Sequence, residues 1–241
     1  MSRWMQERVA KDFSISLTSL QLEQFDQYYH RIIETNQYLN LTAITDEKEV
    51  YIKHFYDSLS IAAYTSFEQI KKLIDVGTGA GFPGIPLKIA FPQLEVLLID
   101  SLQKRVRFLQ GVIEELQLSA IDAVHSRAEE LAQRDEYREQ FDLAVARAVA
   151  RLNILAEYCL PFVKVQGSFI AQKGAVIDEE IEEASYALHV LGKASLKKCH
   201  LTLPGSIGER NLLLMKKRDH SPRRYPRRAG LPHKEPIQAK R

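Results

Sequence analysis

Residues 72–84 read KLIDVGTGAGFPG, a short apolar run that ends on an acid and breaks into a turn with glycine at alternate positions. Leu73, Ile74 and Val76 suit a parallel strand covered on both faces, with Asp75 near its carboxyl end. Gly77, Gly79 and Gly81 follow, where a missing Cβ permits positive φ and close approach of backbone to a ligand. Three glycines beside an acid favour a nucleotide-binding loop over a turn that needs glycine for geometry alone.

Two nucleotide classes compete for that loop. Residues 79–84, GAGFPG, match the G-x-G-x-x-G dinucleotide fingerprint, while Asp75-x-Gly77-x-Gly79-x-Gly81 resembles the acid-plus-glycines pattern of class I S-adenosylmethionine-dependent methyltransferases. A second strand, residues 94–99, ends on Asp100, about 20 residues beyond the glycines, where such sheets set a carboxylate on a ribose hydroxyl. Both classes use that carboxylate. The chain after Arg147 reads as continuation of the same sheet, leaving no separate substrate domain for a dehydrogenase, and this favours the methyltransferase.

The rest of the chain supplies the frame. Residues 18–39 carry Leu22, Phe25, Tyr29, Ile32 and Ile33 at helical spacing after a candidate cap at Thr18 or Ser19. A second helical segment, roughly 47–64, holds His54 and Asp57, expected to be a hydrogen-bonded structural pair. Residues 1–70 are therefore expected to form a small helical cap. From residue 72 strands and helices alternate, which predicts a doubly wound parallel sheet over residues 71–218. Strands are expected at 121–126, 141–146 and 167–173. Two further β-rich runs, 194–203 and 211–217, are joined at Pro204-Gly205 as an antiparallel pair closing the sheet.

With 241 residues the chain suits one large α/β domain with an appendage. No stretch approaches the ~20 apolar residues of a membrane span, and MSRWMQERVAKDF lacks the apolar core of a signal peptide, so a cytoplasmic protein, away from membranes and monomeric, is expected. Cys159 and Cys199 are too few and too far apart for a zinc cluster or redox motif; buried thiols are expected, and no metal.

Net charge is +2, but it is unevenly placed. Residues 216–241 hold ten Lys and Arg against two acids, while the preceding residues carry 23 against 29. Four of the nine prolines also lie in this tail. An extended basic arm over residues 219–241 follows, without regular structure after its first residues. Its arginines interleave with Tyr225 and rigid prolines, a composition suited to RNA phosphates. Arg223, Arg224, Tyr225, Arg227, Arg228 and Lys234 are the candidate RNA contacts, and removal of the arm is expected to leave cofactor affinity nearly intact.

Taken in order, DVGTGAGFPGIPLKI, LIDSLQKRVRFL, SRAEEL, FDLAVARAVARL, Lys173-Gly174 and YPRRAGLPHKEP, together with NLTAI at 40–44 and HFYDSL at 54–59, resemble the RsmG/GidB family of ribosomal RNA small subunit methyltransferases over nearly the whole chain. The resemblance implies a class I, Rossmann-like methyltransferase that moves the methyl group of S-adenosyl-L-methionine to nitrogen seven of a guanine in 16S ribosomal RNA of the small ribosomal subunit. Carried over residue by residue, it implies cofactor contacts from Asp75 and Gly77 to Phe82, with Gly79 and Gly81 between them. Asp100 would meet the ribose and Ala128 and Glu129 the adenine. Arg147 would stand where substrate and cofactor meet, as a positioning group.

The chemistry agrees with a sequence that displays no His/Asp or Cys/His constellation. Nitrogen seven of guanine carries an in-plane lone pair and no proton, so in-line attack needs alignment but no general base. Three alternatives stay open at this point. A protein or small-molecule methyltransferase would not require the basic tail, a dinucleotide oxidoreductase would keep the loop and Asp100, and a non-catalytic RNA-binding module would need neither.

Overall fold

The computed structural model describes residues 1–147, 150–175 and 177–239. Seven strands form one sheet: β1 (Lys72–Val76), β2 (Glu95–Asp100), β3 (Ile121–His125), β4 (Phe141–Arg147), β5 (Val163–Lys173), β6 (Ser195–Thr202) and β7 (Glu209–Lys216), in the spatial order β3-β2-β1-β4-β5-β7-β6. The first five are parallel, β7 runs antiparallel to β5, and β6 antiparallel to β7. This is the expected class I methyltransferase sheet with its closing antiparallel pair. Strand order reverses between β1 and β4, so the crevice at their carboxyl ends is the ligand position this topology provides.

Side chains alternate between faces with a period of two. Leu73, Leu98, Leu143 and Val145 join one apolar cluster, and Ile74, Leu97, Ile99, Ala144 and Ala146 the other. The first face is covered by α1 (Ser2–Phe13), α2 (Ser19–Asn36), α5 (Gly84–Ala90) and α6 (Gln103–Glu115), the second by α7 (Ala128–Leu131), α8 (Leu152–Cys159) and α9 (Asp178–Val190). Residues of the cap and of the sheet share one continuous cluster, so no core boundary falls near residue 70. Among the described residues no helix is long and apolar enough to cross a membrane. Cys159 and Cys199 are buried free thiols.

Three features depart from the sequence expectation. α1, which the sequence reading did not mark, buries Met5 and Val9 and packs Trp4 and Phe13 against the same core. On α2 the buried stripe is Phe25, Tyr28 and Ile32, one position from the expected Tyr29, because the Tyr28 hydroxyl donates to the Ala80 carbonyl in the glycine loop. Its start is as expected: Thr18 Oγ1 accepts from Gln21 N at 3.3 Å while Thr18 N donates to Gln21 Oε1 at 2.8 Å, a reciprocal capping box. The segment read as one helix over 47–64 is instead α3 (Glu47–Val50), a π-helical turn (Tyr51–Tyr56), α4 (Asp57–Leu59) and a 3-10 turn (Ser60–Ala63). A π insertion of this kind is a frequent mark of functional sites.

The basic tail is docked, which corrects the expected extended arm. Lys217, fully buried, donates to Glu139 Oε1 at 2.6 Å, Leu160 O at 2.9 Å and Val163 O at 2.8 Å, so all three ammonium protons are used. The Arg138 guanidinium donates to the carbonyls of Ser221 (2.8 Å), Pro222 (3.2 Å) and Tyr225 (2.8 Å). Arg227 grips the buried carboxylate of Glu157, a short helix α10 (Leu231–Lys234) follows, and Ile237 enters the second apolar cluster. The tail finds partners because the core presents two buried polar groups, Arg138 and Glu157, that water does not reach.

Candidate active site

The glycine loop is stitched to the ends of β1 and β2. Gly77 N and Thr78 N donate to Ile99 O at 2.9 and 3.1 Å, and Gly79 N donates to Asp100 Oδ2 at 3.0 Å. Below the loop Asp75 is fully buried, its Oδ2 accepting from Thr78 Oγ1 at 2.6 Å and from Gly84 N at 2.8 Å, the first residue of α5. Burial raises the Asp75 carboxyl from 3.8 to about 6, with the two hydrogen bonds opposing. Asp75 therefore holds the loop from beneath and does not line the cavity above it, in contrast to the direct cofactor contact expected for it.

The glycines divide their tasks. A Cβ on Gly79 (φ +62°) would meet nothing within 4 Å, so that position looks into open space. A Cβ on Gly81 (φ +102°) would fall 2.5 Å from the Tyr28 hydroxyl and 2.6 Å from Ile85, so Gly81 serves packing.

Above the loop lies a cavity of ≈ 570 Å³, bordered by Gly77–Ala80, Phe82 and Asp100 on the loop side and by Thr42, His54, Asp57, Arg147 and Gln172 opposite. Arg147, at the carboxyl end of β4 and 14% exposed, is the hub. Its Nη1 donates to Lys53 O (3.2 Å) and Asp57 Oδ2 (3.3 Å), its Nη2 reaches His54 Nδ1 at 3.2 Å, and its guanidinium lies 4.8 Å from the Phe82 ring centre. Burial lowers the guanidinium from its ordinary value, with Asp57 the largest opposing influence.

His54 stacks on the same Phe82 ring, 4.6 Å between centroids. Burial, with the adjacent Arg147 charge, pushes its imidazole down to about 3, so the ring is neutral. His54 Nδ1 lies 3.2 Å from Arg147 Nη2 and 3.1 Å from Lys53 O, and its Nε2 pairs with Thr42 Oγ1 at 2.8 Å. The His54 and Asp57 side chains are thus joined through Arg147, while the Asp57 backbone N–H donates to His54 O. Asp57 Oδ2 also accepts from Arg210 Nε at 3.1 Å, so two guanidiniums share one carboxylate and one positive charge is left over.

A second cavity of ≈ 220 Å³ meets the first at Gly77, Asp100 and Ser101. Ala128, Glu129, Tyr158 and His233 line it. Asp100 stands between the two, its Oδ1 accepting from Leu102 N at 2.9 Å and its Oδ2 lying 3.5 Å from Arg105.

The six tail residues named as RNA contacts have different situations. Arg228 and Lys234 are exposed, Arg224 is exposed and lies 5.1 Å from the ring centre of half-buried Tyr225, and exposed Arg223 pairs with Asp135 at 2.5 Å. Arg227 is engaged with Glu157. Sequence reasoning also missed a set of cations around the large cavity: Lys53, Arg105, Lys173 and Arg210. They come from four separate elements, so no local run of charge announces them. Lys53 and Lys173 are partnered by Glu49 (2.6 Å) and Glu180 (2.9 Å).

Comparison with known proteins bears on the family and the fold. A protein-family model described as rRNA small subunit methyltransferase G matches residues 21–212. Ribosomal RNA small subunit methyltransferase G of Brevibacillus brevis is 52% identical over 223 residues, covering 92% of this chain and 94% of that protein. The protein of the same name from Leuconostoc citreum is 51% identical over 228 residues, covering 94% and 95%. Among solved structures, a putative O-methyltransferase from Klebsiella pneumoniae superposes with a TM-score of 0.54 at 13% identity, covering 79% of this chain and 90% of that one. TYW2 from P. horikoshii, solved with MeSAdo, gives 0.50 at 13%, covering 68% and 62%. These two speak for the fold alone. With the family model spanning most of the chain and relatives at half identity along nearly all of it, the chain belongs to the rRNA small subunit methyltransferase G family.

Proposed function

We propose that this chain methylates nitrogen seven of a guanine in 16S ribosomal RNA, using S-adenosyl-L-methionine, as a cytoplasmic monomer. The observation that carries the reading is the pair of joined cavities with Gly79 open to one, Asp100 at their junction and Arg147 across from the loop. The residues fit the cofactor: loop backbone for the methionine portion, Asp100 for ribose hydroxyls, and Ala128 and Glu129 for adenine. When bound, S-adenosylmethionine supplies an electrophilic methyl on a sulfonium.

The chain's own groups have two tasks. Arg147, fixed by Lys53 O, Asp57 and His54 and stacked on Phe82, is rigid enough to orient a base, and its donors suit the O6 atom beside the reacting nitrogen. His54, buried and neutral, is not called on as a base, consistent with a nucleophile that has no proton to lose. The unbalanced cation shared by Arg147 and Arg210, with Lys53 and Arg105 nearby, suits a polyanion at the cavity mouth.

The organisation we propose is a helical cap (1–70) forming the roof of the site, a methyltransferase core (71–218) and a basic tail (219–241) whose exposed Arg223, Arg224, Arg228 and Lys234 meet RNA. Calorimetric titration with S-adenosylhomocysteine and NAD side by side tests the cofactor. S-adenosylhomocysteine should bind, and Gly79→Val should abolish binding by filling the open space and straining a positive φ. Tight NAD binding without response to S-adenosylhomocysteine would overturn the reading. Reduction and aniline cleavage of methylated RNA should give one break; a methyl on an exocyclic amine or ribose oxygen would refute the proposed acceptor.

A further inference from the structure

Ala128 and Glu129 open α7 on one side of the 220 Å³ cavity, and the carboxyl-terminal segment stands on the other. His233 completes the lining, and Gly230 N donates to Glu129 Oε1 at 2.9 Å. Gly230 has φ +83°, and a Cβ there would touch nothing within 4 Å. Conformation is therefore what glycine supplies here, aiming the backbone N–H at the carboxylate. The segment is held at both ends, by Arg227 on Glu157 upstream and by buried Ile237 downstream, with Pro232 buried between. A merely solvated or RNA-seeking arm has no need of such fastening against the edge of a cavity.

We propose that residues 230–233 form the outer wall of the adenine end of the cofactor site, making the carboxyl-terminal segment a cofactor-binding element. This rests on the reading that the two cavities hold S-adenosylmethionine. A flat heterocycle with an amine edge fits the chemistry: Ala128 and Tyr158 offer apolar surface, His233 closes the open side, and Glu129 keeps Oε2 to accept from the amine while Oε1 is tied to the tail. The tie also fixes the Glu129 side chain, so the tail acts both as a wall and as a brace. Removing residues 219–241 should then cost cofactor affinity, the reverse of what the composition of the tail suggests.

The test titrates S-adenosylhomocysteine and 5′-methylthioadenosine into the full chain, into His233→Ala, into Gly230→Pro, which removes both the donated N–H and the positive φ that aims it, and into a chain ending at residue 229. RNA is absent throughout, and thermal unfolding of each chain is recorded. Loss of the wall and brace together should weaken both ligands on the order of tenfold, and His233→Ala about threefold. The losses should match for the two ligands, because they share the adenosine. Unchanged affinity in folded His233→Ala and Gly230→Pro chains overturns the proposal, even if the shortened chain fails to fold. A loss confined to S-adenosylhomocysteine also overturns it, since the wall would then stand at the methionine end. Failure of the full chain to bind S-adenosylhomocysteine at all would instead overturn the functional reading on which the inference rests.

Discussion

Arg227→Ala should undock the tail, and the structure sets the size of the effect. The Glu157 carboxylate is 0% exposed and accepts from Arg227 four times: from the backbone N at 2.8 Å, from Nε at 2.9 and 3.2 Å, and from Nη2 at 2.6 Å. Alanine keeps only the backbone donor and strands a buried charge, a change that typically costs about 3–5 kcal/mol. The tail can escape part of this by lifting off and letting water reach Glu157, so the loss in global stability should settle near ~3 kcal/mol. Glu157→Gln combined with Arg227→Met removes both charges and should recover most of it. Arg223→Ala is the control, because its pair with Asp135 is exposed on both sides and should matter by less than about 1 kcal/mol. Urea denaturation supplies the stabilities, and hydrogen exchange over residues 223–239 reports the docking. If Arg227→Ala stays within about 0.5 kcal/mol of the parent and tail amides keep their protection, Arg227 is not a clamp and the buried pair has been misjudged.

Further outcomes concern the loop, the hub and the exposed cations. Asp75 is raised to about 6 from 3.8, so the fold favours its protonated form and ionised Asp75 subtracts stability above pH 6, a penalty relieved as pH falls towards 3.8. Asp75→Asn keeps an acceptor for Thr78 and Gly84, and should stabilise by up to ~3 kcal/mol at pH 8 and by nothing near pH 4; a gain independent of pH in denaturant titrations would refute this. Single-turnover methylation should stay nearly flat between about pH 6 and 9, since His54 is already neutral there, and Arg147→Ala should lower the rate without adding a titration. A rate rising steeply with pH would mean that a proton must be removed. RNA affinity should fall with salt, and replacing Arg223, Arg224, Arg228 and Lys234 by alanine should reduce the logarithmic slope by about 0.7 for each single-strand phosphate that is no longer neutralised; an unchanged slope would leave those side chains merely solvated.

The fold was legible because its signals are local. The run 73–76 beside glycines at 77, 79 and 81, the carboxylate closing β2, and the alternation after residue 72 each depend on neighbours a few positions apart, and backbone period converts them directly into strands, turns and helices. The Thr18 cap is of the same kind. The hub was not legible, because Arg147, Asp57 and Arg210 come from a strand end, a broken helix and a closing strand, and nothing in 54–59 reveals that a π turn will aim both His54 and Asp57 at Arg147. One extra residue in a turn rotates every later side chain about the helix axis, and the apolar pattern of 47–64 tolerates either winding.

The tail was misread for a different reason, and it shows what a charge count leaves out. Ten cations against two acids predict repulsion and hydration only if every cation faces water. Here Lys217 and Arg227 face buried carbonyls and carboxylates, and Arg138, outside the tail, supplies the donors that the tail's own carbonyls need. Glu139 carries the same message in its titration. Burial would raise it, yet hydrogen bonds from Lys217, His220 and Ser221 N hold it down to about 2 from 4.5. Its contribution to stability is therefore present above pH 4.5 and is lost as pH falls towards 2, which ties the start of the tail to the core throughout the neutral range. A segment fastened in this way would lose little further conformational entropy on meeting RNA at its exposed side, the role proposed for it. The docked tail can thus offer Arg223, Arg224, Arg228 and Lys234 as a pre-formed surface, while the residues between them hold the protein together.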